Sequence, residues 1–268
     1  MPIPVELLRN LTLRELRSKF KRSTLGWLWS VINPLSSILI YGIVFGVVLK
    51  VDPPVGDPSG LDNYALFLVC ALLPWNLHAA GLNGAAGSIV ANEGLVKKVY
   101  FPRWVLPASS VLSWADSFGV ELLVLAVVLA LFGNIVILSI PMLLVVMAIQ
   151  TIFVFGLGML LSAANAYFRD VQHFLAIALN VWFYSTPILI PASEIPERYE
   201  FLGREIPLRD IFGLNPMAAF VDAYRDLLYH LRGPTLATMV ELVLWTIAVV
   251  IVGVAVFRRL EPRLAEEL

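Results

Sequence analysis

Two carboxylates interrupt a long apolar stretch of the sequence and are the first residues to consider for chemistry. Asp116 and Glu121 are the only charged residues between Arg103 and Arg169. Acid–base chemistry needs groups that reach the same substrate atoms. Five positions apart on a helix, the two side chains differ by about 140° around the axis and cannot share a face. We therefore interpret Asp116 as a partly hydrated residue near a helix end, and Glu121 as a candidate for a polar wall or an interhelical contact.

Motifs for nucleotide binding, metal binding and nucleophilic catalysis are missing from the sequence. It contains no G-x-x-x-x-G-K-[ST], no H-E-x-x-H and no G-x-S-x-G. His78, His173 and His230 fall in three separate segments, and the single cysteine, Cys70, lies deep in an apolar run. The sequence predicts no catalytic residue, no metal site and no cofactor held by this chain.

The composition indicates that lipid is the solvent of most of the chain. Of its 268 residues, 59% are hydrophobic and 15% are charged, and the mean hydropathy is +0.82. Soluble domains carry about 25% charged residues. A helix needs about 20 apolar residues to cross the hydrocarbon. The predicted fold class is therefore all-α integral membrane, with one transmembrane domain over residues 1–268. Six spans are predicted, at about 30–50, 63–88, 107–132, 136–162, 171–192 and 236–257.

Positive charge falls on one side of the predicted spans. Arginine and lysine are concentrated in the N-terminal arm, in the loop 92–103, at Arg169 and in the tail after residue 257. The short loop 51–62 instead carries three aspartates. The positive-inside rule therefore places both termini in the cytoplasm. The sequence predicts a multi-pass protein of the cytoplasmic (inner) membrane.

Two segments lie outside the predicted spans. Residues 4–22 predict an amphipathic interfacial helix on the membrane surface, with Leu13, Leu16 and Phe20 on one face. Residues 193–235 form one long external segment. Part of it has helical periodicity, so we expect short gate helices between the fifth and sixth spans.

Four stretches of the sequence resemble a known family in order along nearly the whole chain. They are RSTLGWLWSVINPL (22–35), NEGLVKKVYFPRWVLP (92–107), YFRDVQHF (167–174) and LNPMAAFVDAYRDLL (214–228). These resemble the type-2 ABC exporter permeases, and within them the polysaccharide group, which exports O-antigen, capsule, teichoic acid or galactan. The resemblance implies a homodimer, a lipid-linked glycan as cargo, contact with membrane lipids and no nucleic acid. It also implies a separate cytoplasmic P-loop ATPase, which would hold ATP and magnesium.

The resemblance also implies where that ATPase binds. In the family, the N-terminal amphipathic helix and the segment between the second and third spans contact it. The implied coupling residues are Arg17, Lys19, Lys21 and Arg22 in the first contact, and Glu93, Lys97 and Lys98 in the second, coupling segment 92–103. Alternatively, these charges only hold the topology or attract phospholipid head groups.

Aromatic residues in the predicted spans are candidates for the substrate path of such an exporter. Sugar rings expose C–H faces that pack against aromatic faces, and a polymer path favours weak repeated contacts. The candidates are Tyr41, Phe45, Phe155, Trp182, Phe183 and Tyr184, together with Glu121 as a polar residue. Alternatively, these side chains face lipid or pack between helices.

Some assignments remain open at this stage. Arg169 and Asp170 are interpreted as structural, because they could pair locally and fix the turn after the fourth span. A type-2 ABC exporter of a drug, peptide or lipid is the alternative function. A membrane-embedded enzyme is a third, and it would need acid, base or metal ligands brought together from separate spans.

Overall fold

The chain is predominantly helical in a computed structural model, as the sequence predicts. The structure describes residues 5–19, 21, 23–52, 54–191, 194–201, 204–264 and 266–268. In chain order, the helices are α1 (Val5–Lys19), α2 (Trp29–Tyr41), α3 (Tyr64–Ala91), α4 (Glu93–Lys98), α5 (Val105–Leu131), α6 (Ile140–Tyr167), α7 (Val171–Tyr184), α8 (Leu208–Gly213), α9 (Pro216–Arg225) and α10 (Leu236–Leu260). The antiparallel strands β1 (Tyr199–Phe201) and β2 (Arg204–Ile206) form a small hairpin before α8.

Long apolar helices dominate the fold. Within the described residues, five helical segments are long and apolar enough to cross a membrane. They are Trp29–Val48, in which α2 continues as a π-helix, Tyr64–Ala91, Val105–Leu131, Val136–Tyr167 and Leu236–Arg263. The membrane fold with many helical passes is therefore supported by five long segments and by the shorter apolar helix α7.

The fifth predicted span, 171–192, differs from the prediction because it is not one continuous helix. α7 ends at Tyr184 after 14 residues, a length of about 21 Å. Pro187 and Pro191 follow, and proline removes a helical donor and disfavours helix at the residue before it. The carbonyls of Pro187 and Ile188 instead accept hydrogen bonds from the buried guanidinium of Arg225, at 2.6 and 2.5 Å.

α3 lies at the centre of the helical bundle. It packs against α2, α5, α6, α7 and α9, and all of its first twelve residues are buried. These twelve residues are apolar on every face of the helix, which is the pattern of a helix surrounded by protein. Asn63 caps its first turn by accepting a hydrogen bond from the amide of Leu66 at 3.1 Å. α3 is therefore the central helix on which the five others pack.

Two glycines set the distance between α6 and α10. A Cβ atom at Gly253 would lie 2.0 Å from the carbonyl oxygen of Gly156, which is an impossible contact. A Cβ atom at Gly156 would lie 3.0 Å from the backbone of Val250. The two helices therefore touch backbone to backbone, as small residues allow in membrane bundles.

A second cluster of buried side chains lies at the end of the bundle that carries α1 and α4, here called the α1 end. Its members come from α1, α3, α4, α5, α6 and α10 and from the tail. They include Leu11, Ile89, Val96, Val105, Met159, Phe257 and Leu264. Polar bonds reinforce it, since Arg14 Nη2 donates to Asn92 Oδ1 at 2.6 Å and the Arg103 guanidinium donates to the Glu261 carbonyl. The short helices at this end are consequently tied to the long ones.

α1 packs against protein with a face different from the one that the sequence predicts to lie on the membrane surface. Leu11 and Thr12 are buried, whereas Leu13 is 36% exposed and Phe20 lies outside the described residues. The reason is that α1 packs along α5 and into the cluster at the α1 end. The face that the sequence assigned to the membrane surface is therefore not the one that packs against protein.

Candidate functional site

A groove of about 460 Å³ runs between α3 and α7. The two helices are antiparallel, so residues early in α3 face residues late in α7. The groove is lined by Trp75, Ala79 and Asn83 of α3 and by Ala176, Leu179, Asn180, Phe183 and Tyr184 of α7.

The groove stays open because α7 packs on one face only. Leu175 and Leu179 are its buried residues, and they lie four positions apart on the same side of the helix. Asn180 is exposed, and Tyr184 is 73% exposed. The opposite side of α7 therefore has no partner within the described residues.

Two amide side chains make the groove polar. Asn83 lies about 12 Å from the end of α3, and Asn180 about 13 Å from the start of α7. Both would sit at hydrocarbon depth if these helices cross a membrane. Asn83 Nδ2 donates to the Ala79 carbonyl oxygen at 2.9 Å, but within the described residues neither Asn83 Oδ1 nor the Asn180 amide has a side-chain hydrogen bond. An amide group left unsatisfied in hydrocarbon costs several kcal/mol. The geometry therefore favours water or a polar ligand over lipid chains in this groove.

Aromatic rings form the other half of the groove. The Trp75 and Phe183 ring centroids are 5.4 Å apart with an interplanar angle of 68°. Phe183 and Tyr184 are 5.2 Å apart at 85°. Rings offer flat faces to C–H groups and amides offer donors and acceptors. This combination suits a polyhydroxylated ring.

A second candidate surface lies on α4 and the residues after it. Lys97 Nζ bonds Glu93 Oε1 at 2.6 Å across one helical turn. That hydrogen bond and the Lys97 charge lower the pKa of the Glu93 carboxyl. Lys98 is exposed, and Tyr100 is 93% exposed. Aromatic side chains are enriched in protein interfaces and charged groups steer a partner of opposite charge, so this surface is suited to a protein partner.

Comparison with known proteins decides the family. Residues 6–229 match the ABC-2 type transporter family. The chain belongs to that family. It is 33% identical over 265 residues to the O-antigen export system permease protein RfbA of Klebsiella pneumoniae, covering 98% of this chain and 95% of that protein.

Further relatives of this ABC-2 chain also align over nearly its full length. It is 30% identical over 262 residues to the O-antigen export system permease protein RfbA of Myxococcus xanthus, covering 98% of this chain and 95% of that protein. It is 24% identical over 256 residues to the polysialic acid transport protein KpsM of Escherichia coli, covering 94% of this chain and 92% of that protein. The resemblance to type-2 ABC permeases of polysaccharide export, stated above from four stretches, is confirmed.

The structure separates the predicted aromatic residues of this ABC-2 chain into groups. Phe183 and Tyr184 line the groove. Trp182 turns away from it, and its Nε1 donates to Asn215 Oδ1 at 2.7 Å. Asn215 also caps α9 by accepting from the Met217 amide at 3.0 Å. Trp182 therefore links α7 to α9, whereas Phe183 and Tyr184, the next two residues, face the groove.

The remaining substrate-path candidates lie elsewhere. Phe45 is 6.1 Å from Tyr41 and 4.8 Å from Tyr64 between ring centroids, at the start of α3. Phe155 packs against Trp104 between α5 and α6, with centroids 6.5 Å apart. Glu121 lies on α5 and interacts electrostatically with Lys19. The structure does not bring these residues to the groove between α3 and α7.

The predicted coupling residues differ in their position and exposure. Glu93, Lys97 and Lys98 lie together on α4. Arg17 and Lys21 are exposed near the end of α1, and Arg22 lies outside the described residues. Lys19 is half-buried against α5.

Arg169 and Asp170 do not form the predicted ion pair within the part of the chain that the structure describes. Both are exposed. The Asp170 carbonyl instead accepts hydrogen bonds from the amides of His173 and Phe174, at 3.0 and 3.1 Å, and so opens α7. The turn is fixed by backbone bonds, and the Arg169 charge acts on Glu93.

Sequence reasoning missed three groove residues, namely Trp75, Asn83 and Asn180. Charged residues were the only polar residues considered in the spans, and the amides Asn83 and Asn180 carry no charge. A signal was available, since a polar side chain in a transmembrane helix is costly and points to a functional site. Reading asparagines in the apolar runs would have found Asn83 and Asn180.

Proposed function

We propose that this chain is the membrane permease subunit of an ATP-driven exporter that moves a lipid-linked polysaccharide outward across the cytoplasmic membrane. The observation that carries the proposal is the groove between α3 and α7, where two amides at hydrocarbon depth lie beside Trp75, Phe183 and Tyr184. Full-length similarity to O-antigen and polysialic acid transport proteins supports it.

The proposal includes six membrane passes with both termini in the cytoplasm. α7 supplies the remaining pass together with residues 185–191, which continue from it to the partners of Arg225. The hairpin β1–β2 then lies on the external side together with α8 and α9, which are the gate helices. The basic residues of α1, α4 and the tail face the cytoplasm, in keeping with the positive-inside rule.

A homodimer would close the groove. α2 buries only Ser30 and Pro34, and its π-helical continuation Gly42–Val48 buries no residue. α2 and α7 both contact α3 and both leave most of their side chains at least partly exposed, and we propose that α2, the groove and α7 together form one open face. A second copy placed on this face would convert two half-open grooves into an enclosed path, as the isologous contact of a two-fold dimer does.

A separate cytoplasmic ATPase would bind at α4 and at the exposed residues Arg17 and Lys21 near the end of α1. ATP and magnesium would be held by that partner. The bond between Arg14 and Asn92, together with the buried cluster at the α1 end, joins α1 to α4. The two docking elements would therefore move as one body when the ATPase closes.

Reversing charge on α4 tests the docking surface. Replacing both Lys97 and Lys98 with glutamate should lower the amount of ATPase that co-purifies with the permease at least about tenfold, because like charges at an interface cost several kcal/mol. The measurement is the ATPase-to-permease ratio after affinity purification in detergent. Arg198→Glu in the external segment is the matched control, and an unchanged ratio for the α4 variant would contradict this surface.

Exposed groove residues test the cargo path without endangering the fold. Tyr184→Ala and Asn180→Leu should each lower glycan export about tenfold, because each removes a contact worth about 1–2 kcal/mol from every repeat that passes. Export is measured in vesicles containing the permease, its ATPase and an undecaprenyl-linked glycan. Ile177→Ala, on the exposed face of α7 outside the groove, is the control.

The same vesicles separate this function from the alternative. The measurement is the rate of ATP hydrolysis with each compound added. If a hydrophobic drug, peptide or lipid raises this rate and the lipid-linked glycan does not, the function is export of that compound and not of a polysaccharide. Normal export by both groove variants would remove the groove from the path.

A further inference from the structure

Lys19, at the end of α1, is anchored on α5. Its ammonium Nζ lies 2.9 Å from the Ser113 carbonyl oxygen and 3.3 Å from Ser117 Oγ. It also lies 3.5 Å from the centroid of the Trp114 ring. A cation over a tryptophan face is the most favourable form of this contact, especially when it is desolvated. The end of α1 is therefore held to one face of α5 over little more than one helical turn, from Ser113 to Ser117.

The same tryptophan touches α3 on its other side. A Cβ atom at Gly84 would lie 2.9 Å from Trp114 Nε1 and 2.5 Å from Ser110 Oγ. α5 can approach α3 this closely only because position 84 has no side chain. Gly84 is next to Asn83, which lines the groove. Contacts thus run without a gap from Lys19 through Trp114 to the wall of the groove.

The chain itself offers no equally direct connection between α1 and the next long helix. α1 ends at Lys19 and α2 begins at Trp29. Gly26, between them, has a φ of +53°, a left-handed conformation that glycine adopts without strain. The two helices are therefore not one continuous rod. A displacement of α1 therefore reaches the bundle through side contacts, with α5 at Lys19 and with the buried cluster at the α1 end.

We propose that Lys19 is a positioning residue that transmits movement of α1 through Trp114 to α3 beside the groove. The proposal rests on the proposed function, because it assumes that an ATPase moves α1. It assigns Lys19 to the inside of the permease, where it couples the ATP cycle to the cargo path. The exposed residues Arg17 and Lys21 near the end of α1 and Lys97 and Lys98 of α4 meet the ATPase.

The surroundings of Lys19 provide a readout that a packing role alone would not show. Burial lowers the pKa of the Lys19 ammonium to about 8, against the opposing charges of Glu121 and Asp116 on α5 and Glu15 on α1. Because the pKa is lowered, the cation is present below pH 8 and is lost as the pH rises through 8. The cation–π contact should weaken in the same interval.

Transport per ATP tests the proposal. In vesicles containing the complete permease–ATPase complex, Lys19→Met should lower glycan exported per ATP hydrolysed about fivefold, the effect expected for a residue inside a coupling network. ATPase binding and basal hydrolysis should be unchanged. Arg9→Met, which removes an exposed cation from the same helix, should match the wild type.

Two further variants separate positioning from simple packing. Lys19→Arg keeps a cation at all pH values used, so it should restore coupling and abolish the decline above pH 8 that the wild type shows. Gly84→Ala should displace Trp114 and reduce coupling with Lys19 intact. Gly119→Ala in α5, whose new methyl would meet Met147 at an ordinary 3.7 Å, is its control. Unchanged coupling in Lys19→Met, or a pH decline that persists in Lys19→Arg, would overturn the proposal.

A readout without cargo keeps this proposal separate from the proposed function. Addition of ATP to the complex should change amide hydrogen exchange in residues 79–87 of the wild type but not of Lys19→Met. If no glycan is exported and this difference is still seen, polysaccharide export is refuted and the role of Lys19 stands. If export occurs and both proteins respond alike, the role of Lys19 is refuted.

Discussion

Arg225→Ala is expected to lower the free energy of unfolding by about 3 kcal/mol. The Arg225 side chain is 3% exposed and donates to the carbonyls of Pro187 and Ile188. Its guanidinium carbon lies 3.7 Å from the centroid of the Phe67 ring. Alanine would leave two carbonyls without donors and a cavity against α3. The segment after α7 would therefore lose its attachment to α9.

Thermal unfolding of the purified protein in detergent measures this effect. Arg198→Ala is the matched control, since Arg198 pairs with Glu205 at 2.8 Å and both side chains are mostly exposed, and exposed pairs contribute at most about 1 kcal/mol. Equal melting temperatures for the two variants would show that Arg225 does not hold the segment in place.

Gly253→Ala should also be strongly destabilising, by about 3 kcal/mol. The added methyl would lie 2.0 Å from the Gly156 carbonyl oxygen, and neither backbone can move without separating α6 from α10. The expected result is a lower melting temperature and a larger fraction of aggregated protein in size-exclusion chromatography. An alanine that leaves both unchanged would mean that α6 and α10 do not touch backbone to backbone.

A glycine elsewhere in the bundle controls for the loss of glycine itself. Gly119→Ala adds the same methyl group at an ordinary 3.7 Å contact, and alanine favours a helix over glycine by about 1 kcal/mol. This variant should melt at or above the wild-type temperature, so the two substitutions should shift stability in opposite directions.

The long helices could be predicted from the sequence because their signal is local. A run of 20 or more mostly apolar residues with at most a few charges identifies each of them. The end of α7 could not be placed this way, since residues 185–191 are as apolar as the helix before them. The carbonyls of Pro187 and Ile188 accept hydrogen bonds from Arg225, which lies 37 residues beyond Ile188. The periodicity of a local sequence cannot predict a bond over that distance.

The candidate site was only partly predictable because neighbouring residues on a helix differ by about 100° in direction. Trp182 and Phe183 look equivalent in sequence, yet one bonds Asn215 and the other lines the groove. Lys19 reads as one more surface cation, and only the packing of α1 on α5 shows that its ammonium is engaged. Such assignments depend on which helices become neighbours.

The single packed face of α7 has a consequence for how permeases of this kind diversify. Leu175 and Leu179 are the residues that pack α7 against the bundle. Substitutions at Ala176, Asn180 or Tyr184 therefore alter the groove without changing this buried packing. Under the proposed function, exchanging a few residues on this face of α7 would therefore change which sugars such a permease exports, with little loss of stability.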